Sequence, residues 1–236
     1  MNIESMNSEK VTNQDINTSV SDINDKRVDK EYIRIKETTD LNDQRIKESN
    51  SQSNNEIHSE TKNQDIYYST LKERIDQTPT ENSGLGTWEG ERGESKFIPA
   101  DEETKICLER FGVDGIEYKN GIPDFDPVTL EKVQIEMGTT RYSVRDGEKR
   151  ISGNYEKADT ALAKKWNSEK KDGKTDWTKD DVKDWVLENR LVRHENNDMK
   201  TVSYIPFEPH VVCIHLGGVC ECKKREMAQL GGGFDE

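Results

Sequence analysis

Three of the four histidines in this 236-residue chain, His194, His210 and His215, lie within one stretch of 22 positions. Imidazole moves protons near neutral pH and is a common metal ligand. Glu195, directly after His194, adds a carboxylate that can also accept a proton. Rings at these spacings converge only if the chain turns back on itself between them. If they converge, they can hold one divalent ion and activate a water, so the chemistry to which the spacing points is metal-assisted hydrolysis.

The elements that would bring the rings together are legible around them. Leu191–Glu195 reads as a short strand, and Asn196-Asn-Asp supplies turn chemistry, since Asn and Asp tolerate left-handed conformations. Met199–Ile205, rich in Val, Ile, Thr and Tyr, reads as a second strand. Pro206 ends it and suits the start of a helical turn that would carry His210. His215 comes five residues later, which is not a same-face helical spacing. It is therefore expected at the helix end or in the loop beyond.

Upstream, Thr178-Lys-Asp-Asp has the form of a capping box. Val182, Trp185 and Val186 then make one apolar helix face ending near Asn189, and Trp185 is expected to brace the site. A helix is predicted over Tyr155–Lys170, with Ala158, Leu162 and Trp166 on one face. Another starts at Asp101, where acidic residues suit the positive end of the helix dipole, and Gly112 can stop it. Asn120-Gly121 signals a hairpin, with Pro123 marking its second strand as an edge. Val133–Met137 alternates like a strand. Together these predict an α+β domain.

Only 30% of the residues are hydrophobic and 35% are charged. Apolar content this low cannot supply a core for the whole chain. Residues 1–84 hold no Trp, Phe or Cys, and their 17 acidic against 11 basic side chains give a net −6. They are expected to be a disordered linker or delivery segment, with one compact domain at 85–236. The chain's net −13 leaves −7 on that domain, which argues against a high-affinity DNA binder built on a basic footprint. It leaves room for a nuclease, because a metal ion and a local basic patch can supply positive field. The first 30 residues lack the apolar region of a secretory signal, and no stretch approaches the ~20 apolar residues of a membrane span. Synthesis in the cytoplasm is expected, with export, for an effector, by a specialised secretion system.

His194-Glu-Asn-Asn-Asp-Met-Lys-Thr-Val, Ile205-Pro, His210 and His215-Leu-Gly-Gly resemble the HNH/endonuclease VII superfamily. They look most like its WHH-type branch, the toxin domains of bacterial polymorphic toxins. The segments Gly86–Gly93 and Gly112–Phe125 are similar to pieces that precede that nuclease core, so the resemblance covers most of 85–236. It implies a ββα-metal core, placed at 178–220, with added helices and one divalent ion (Mg, Mn, Zn or Ni). It further implies endonucleolytic cleavage of nucleic acid, DNA before RNA, by a toxin effector with a cognate immunity protein. Carried over by position, His194 is the general base with Glu195 beside it, and His210 and His215 bind the metal. The reverse assignment, with His194 a ligand, stays open.

Where the branch has Trp, this chain has Arg193, whose guanidinium could grip a phosphate bidentately. Arg193 could equally mark a divergent copy. The second functional reading follows from it: a catalytically degenerate nuclease fold that binds a protein partner through its acidic surface. Cys213, Cys220 and Cys222 with a histidine would make a structural zinc site, although they lack the usual paired two-residue gaps. Asp198, Asp114, Asp124 and Asp126 are expected in turns, His58 in solvent, and Lys223-Lys-Arg either at phosphate or on a solvated face.

Overall fold

A computed structural model describes residues 67–231. The expectation of disorder over 1–84 falls, for residues 1–66 and with it His58, outside the described residues. The remainder, 67–84, differs from that expectation. Thr70 and Glu73 form a capping box that starts helix α1 (Leu71–Asp76). Arg74, buried on that helix, donates from Nε to the Asn120 carbonyl at 2.8 Å and from Nη1 to the Ser69 carbonyl at 2.6 Å. The boundary at 85 is therefore too late. Polar groups in this segment find their partners in the domain instead of in water.

The described chain is mixed α and β, and all its strand pairings are antiparallel. A four-stranded sheet runs in chain order: β1 (Gly86–Trp88), β2 (Lys96–Pro99), β3 (Ile116–Lys119) and β4 (Ile122–Pro123). Helix α2 (Glu102–Glu109) lies between β2 and β3 and is capped by Asp101, whose carboxylate accepts from the Thr104 amide. Asn120 and Gly121, both at positive φ, make the tight turn joining β3 to β4, as the Asn-Gly pair demands.

A second sheet has the order β5-β9-β8, with β5 at Glu131–Gln134, β8 at Leu191–Glu195 and β9 at Thr201–Pro206. The predicted strand over Val133–Met137 thus starts two residues earlier and ends three earlier, paired to β9 from Glu131 to Gln134. Between β5 and β8 come a separate two-stranded ribbon, β6 (Val144–Asp146) and β7 (Lys149–Ile151), then helices α3 (Asn154–Glu169) and α4 (Lys179–Glu188). The Thr178 capping box with Asp181 is present, and Asn189 is the C-cap of α4. After β9 follow α5 (Phe207–Val212) and α6 (Gly218–Gly231).

Two hydrophobic clusters lie on the two faces of the β5-β9-β8 sheet, because successive strand residues point to opposite faces. Val202, Tyr204 and Leu191 join Ala158, Leu162, Trp166, Val182 and Val186 from α3 and α4. Ile205 and Val192 join Phe97, Leu108, Ile116, Tyr118, Phe125 and Val212 on the other side. This alternation decides where the side chains after Val192 must go.

Candidate metal centre

Along β8, odd-numbered residues face α3 and even-numbered ones face Phe125. His194 is even and buried, and its ring centroid lies 4.9 Å from that of Phe125. In the β8–β9 hairpin it stands opposite Ser203. The turn between the strands is built by Asp198, whose carboxylate accepts from the Lys200 and Thr201 amides at 3.0 and 2.8 Å. Asp198 is a turn residue, as its sequence context indicates. Pro206 then starts α5, which carries His210, and His215 lies in the loop between α5 and α6.

These elements bring the three histidines together. Ring centroids are 4.9 Å apart for His194 and His215, and 5.6 Å for each of the other two pairs. One nitrogen from each lies within 4.8 Å of the others, so the cluster could hold a metal ion. Among the described residues this is the one such group. His215 is oriented by a hydrogen bond between Nδ1 and the Cys213 carbonyl at 2.7 Å. With Nδ1–H donating there, Nε2 keeps the lone pair for ligation.

Phe125 contacts all three imidazoles, with centroids 5.9 Å from His210 and 5.7 Å from His215. It was not singled out from the sequence. The signal that could have found it is the Pro123-Asp-Phe-Asp-Pro turn, where the one aromatic among turn formers has to face inward. Gly218 is another local necessity. A Cβ there would run into the Asn196 carbonyl oxygen, so glycine lets α6 start against the hairpin turn.

Burial keeps the cluster neutral. His210 is pushed down to about 3 and His215 to about 4, in both cases by burial first. For His215 the bond to the Cys213 carbonyl opposes the shift, and Arg141 adds to it. His194 is lowered well below the ordinary histidine value by burial, then by the neighbouring imidazoles and Arg141. Neutral imidazoles are the form that ligates metal.

A groove of about 820 Å³ opens beside His194, with Lys119, Asn120, Asp124, Asp126 and Asn196 along it. Asp124 and Asp126 serve local structure there: Asp124 accepts from the Asp126 amide at 2.9 Å, and Asp126 is paired with Lys132.

Glu195 and Arg193 are on the other face of the strand. Glu195 is buried, accepting from Arg141 Nε at 2.9 Å and from Asn154 Nδ2 at 2.7 Å. Burial raises its pKa while Arg141 and Asn154 hold the shift back. Arg141 and Asn154, both missed in the sequence, tie this carboxylate down, so the structure gives Glu195 no place among the imidazoles. Arg193 forms a two-pronged pair with Asp159 on α3, both contacts at 2.6 Å, and Tyr204 Oη donates to the same carboxylate at 3.0 Å. With 13% of its side chain exposed, Arg193 is an internal ion-pair partner and is turned away from any phosphate at the histidines.

The other sequence candidates go elsewhere. Cys213 and Cys222 are buried thiols, and no cysteine among the described residues joins a metal-binding group. Lys224 pairs with Glu73 at 2.6 Å, and Arg225 donates to the Met137 carbonyl at 3.4 Å. Trp185 packs on Trp166 and Tyr204, so it braces the far face of the sheet instead of the imidazoles. No helix among the described residues is long and apolar enough to cross a membrane. No family model, no curated protein and no solved structure matches this chain.

Proposed function

We propose that the chain is a metal-dependent endonuclease with a ββα-metal core formed by β8, β9 and α5, acting on DNA as a bacterial toxin effector. The convergence of three neutral imidazoles from a hairpin, a helix and the following loop carries this reading. His194, His210 and His215 would hold the ion together, the reverse of assigning His194 as general base. The reason is its depressed basicity: an efficient base has a pKa near the working pH, and burial takes His194 far below that.

Three protein ligands with positions left open is the pattern of catalytic sites. A donor set of nitrogen without carboxylate suits Zn or Ni better than Mg. When bound, such an ion supplies Lewis-acid stabilisation of charge on a phosphodiester. The chain's own contribution is to fix His215 through the Cys213 carbonyl, to wall the imidazoles with Phe125, and to offer the groove beside His194 to the nucleic acid. An immunity protein covering this groove would be its natural antagonist.

The test is cleavage of supercoiled plasmid by purified protein with Mg, Mn, Zn or Ni, alongside metal analysis. One ion per chain and nicking are expected. His194→Ala, His210→Ala and His215→Ala should each lose the ion and the activity. If His194→Ala keeps the ion and loses only activity, His194 is the base. Folded protein that binds an ion and cleaves with none of the four metals would replace the enzyme by the protein-binding reading.

A further inference from the structure

The segment before β1 supplies one wall of the groove beside His194. Tyr67 and Arg74 line that groove together with Asn120, Phe125 and Ser203. Ser203 stands opposite His194 in the hairpin, so the wall is on the imidazole side of the sheet. Gly121, at positive φ in the β3–β4 turn, lets α1 sit against it, because a Cβ there would strike the Arg74 backbone. Arg74 is 6% exposed, yet its bonds go to neutral oxygens. Nε donates to the Asn120 carbonyl, and Nη1 to the Ser69 carbonyl and, at 3.2 Å, to the Ser69 hydroxyl. The Tyr67 ring centroid lies 4.6 Å from the guanidinium carbon, a contact that favours a cation. These partners orient the charge without neutralising it, and a buried charge lacking a counter-ion is costly. Nη2 forms no hydrogen bond among the described residues.

The bonding network of Arg74 reaches a carboxylate only through the Ser69 hydroxyl, which donates to Glu221. It continues to a second open group. Asn197 Nδ2 contacts Glu221 at 3.5 Å and donates to the Leu216 carbonyl at 2.8 Å. Asn197 is 4% exposed and lines the same groove. Its buried Oδ1 has no donor, alone among the buried side-chain nitrogens and oxygens of the described residues. An open cationic N–H and an unpaired acceptor on one groove suit a hydrated anion: an anion oxygen takes the N–H, and a water held by the anion serves the acceptor. The charges along the groove agree. Of its two carboxylates, Asp126 is paired with Lys132. Arg74 and the exposed Lys119 therefore face Asp124 with one positive charge in excess, before any ion on the imidazoles adds its own.

We propose that Arg74 binds a backbone phosphate of the nucleic acid substrate, flanking the phosphate at the metal, with Lys119 contacting the strand at the groove's rim. This rests on the nuclease reading and adds the strand's path, along the groove from His194 to α1. A guanidinium already fixed by two carbonyls meets that phosphate without having to be ordered on binding.

The test is titration of a short labelled DNA duplex with the full chain at several salt concentrations, with chelator present to prevent cleavage. Plasmid nicking is measured in parallel. Arg74→Gln keeps an amide donor toward the Asn120 and Ser69 carbonyls and removes the charge. It should weaken binding about 10-fold at low salt and reduce the slope of log affinity against log salt by about 1. Nicking should show a raised KM with kcat and bound ion unchanged, a split that a merely structural role would not give. Lys119→Ala, at an exposed position, should also reduce the slope by about 1 at an unchanged melting temperature. Lys72→Ala, exposed on α1 and paired with Asp76, should leave affinity and slope alone. If the wild type binds and cleaves and a folded Arg74→Gln variant matches it in affinity and slope, the phosphate site is refuted and the nuclease reading stands. Where Arg74→Gln does not fold, Lys119→Ala decides, and a wild-type slope refutes the site. A loss of slope in Lys72→Ala equal to that in Arg74→Gln would assign the effect to general charge and refute it too. If the wild type neither binds duplex nor cleaves with any of the four metals, the nuclease reading fails and the site with it.

Discussion

Each buried imidazole couples the fold to pH. In the unfolded chain the histidines titrate near their ordinary value of about 6.5; in the native chain they resist protonation, His215 to about 4 and His210 to about 3. Above pH 6.5 neither state binds the proton and these groups add no slope. Below it the unfolded chain takes up protons that the native chain refuses, so stability falls with pH until the native rings titrate. The metal-free protein should therefore lose urea resistance between pH 6.5 and 5. The ceiling is ~1.4 kcal/mol per pH unit for each ring, and half-buried His210 and His215 should contribute less. A His210→Gln/His215→Gln variant should show a flatter pH dependence, and one as steep as the wild type's would count against this account. Arg193 gives a second check at this scale. Removing one partner of a buried pair leaves the other charge uncompensated, at about 3–5 kcal/mol. Arg193→Ala should fall near the low end, since Tyr204 still serves Asp159. Cleavage per folded molecule should be unchanged; loss of cleavage at unaltered stability would return Arg193 to a phosphate-binding role.

Among the elements, the hairpin and the two glycines after it set the site more than the long helices do. Thr178→Ala removes the cap of α4, which should cost about 1 kcal/mol and leave metal affinity alone, because α4 packs on the far side of the sheet. Gly218→Ala should both destabilise the fold and weaken metal binding. Its Cβ has to push α6 from the Asn196 turn, and the displacement falls three residues from His215. Calorimetric titration with Zn on both variants separates the two outcomes, and equal affinities would defeat the argument. The same contrast explains what the sequence could reveal. Caps, the Asn-Gly turn and the β8–Asn196–β9 hairpin are local, so residue types at fixed short spacings announce them. The convergence of His194, His210 and His215 was legible because all three lie within a single supersecondary unit. Arg141 and Asp159 were not, since each reaches its partner across dozens of residues, and for Phe125 the turn formers around it announce only that the ring faces inward, not which rings it meets. Arg193 and Glu195 neighbour His194 in the chain but not in the site, because the strand's two-fold alternation sends them to the opposite face, against Asp159 and Arg141.

For the molecule as a whole, the segment just before β1 belongs to the domain, and a buried carboxylate is the reason. Glu221, in the first turn of α6, is fully buried. It accepts from the Tyr68 amide at 2.7 Å, the Ser69 amide at 2.9 Å and the Ser69 hydroxyl. Asn197, on the turn beside His194, reaches the same carboxylate at 3.5 Å. Glu73 on α1 pairs with Lys224 one turn further along α6, and Trp88 Nε1 donates to the Pro79 carbonyl at 2.9 Å. Compare a chain beginning at residue 67 with one beginning at residue 85. The shorter chain keeps both hydrophobic clusters, yet Glu221 loses three donors. Hydrogen bonds to a charged group contribute roughly 1.5–3 kcal/mol each, and they are not additive where one carboxylate receives them all. The shorter chain should therefore be less stable by at least about 3 kcal/mol in urea. Part of that loss should be recovered by Glu221→Leu, which removes the stranded charge, whereas the same substitution in the longer chain should destabilise. A 85–236 chain as stable as 67–236 would mean that the segment rests on the surface without being needed there, and that the domain begins where polar composition alone would place it.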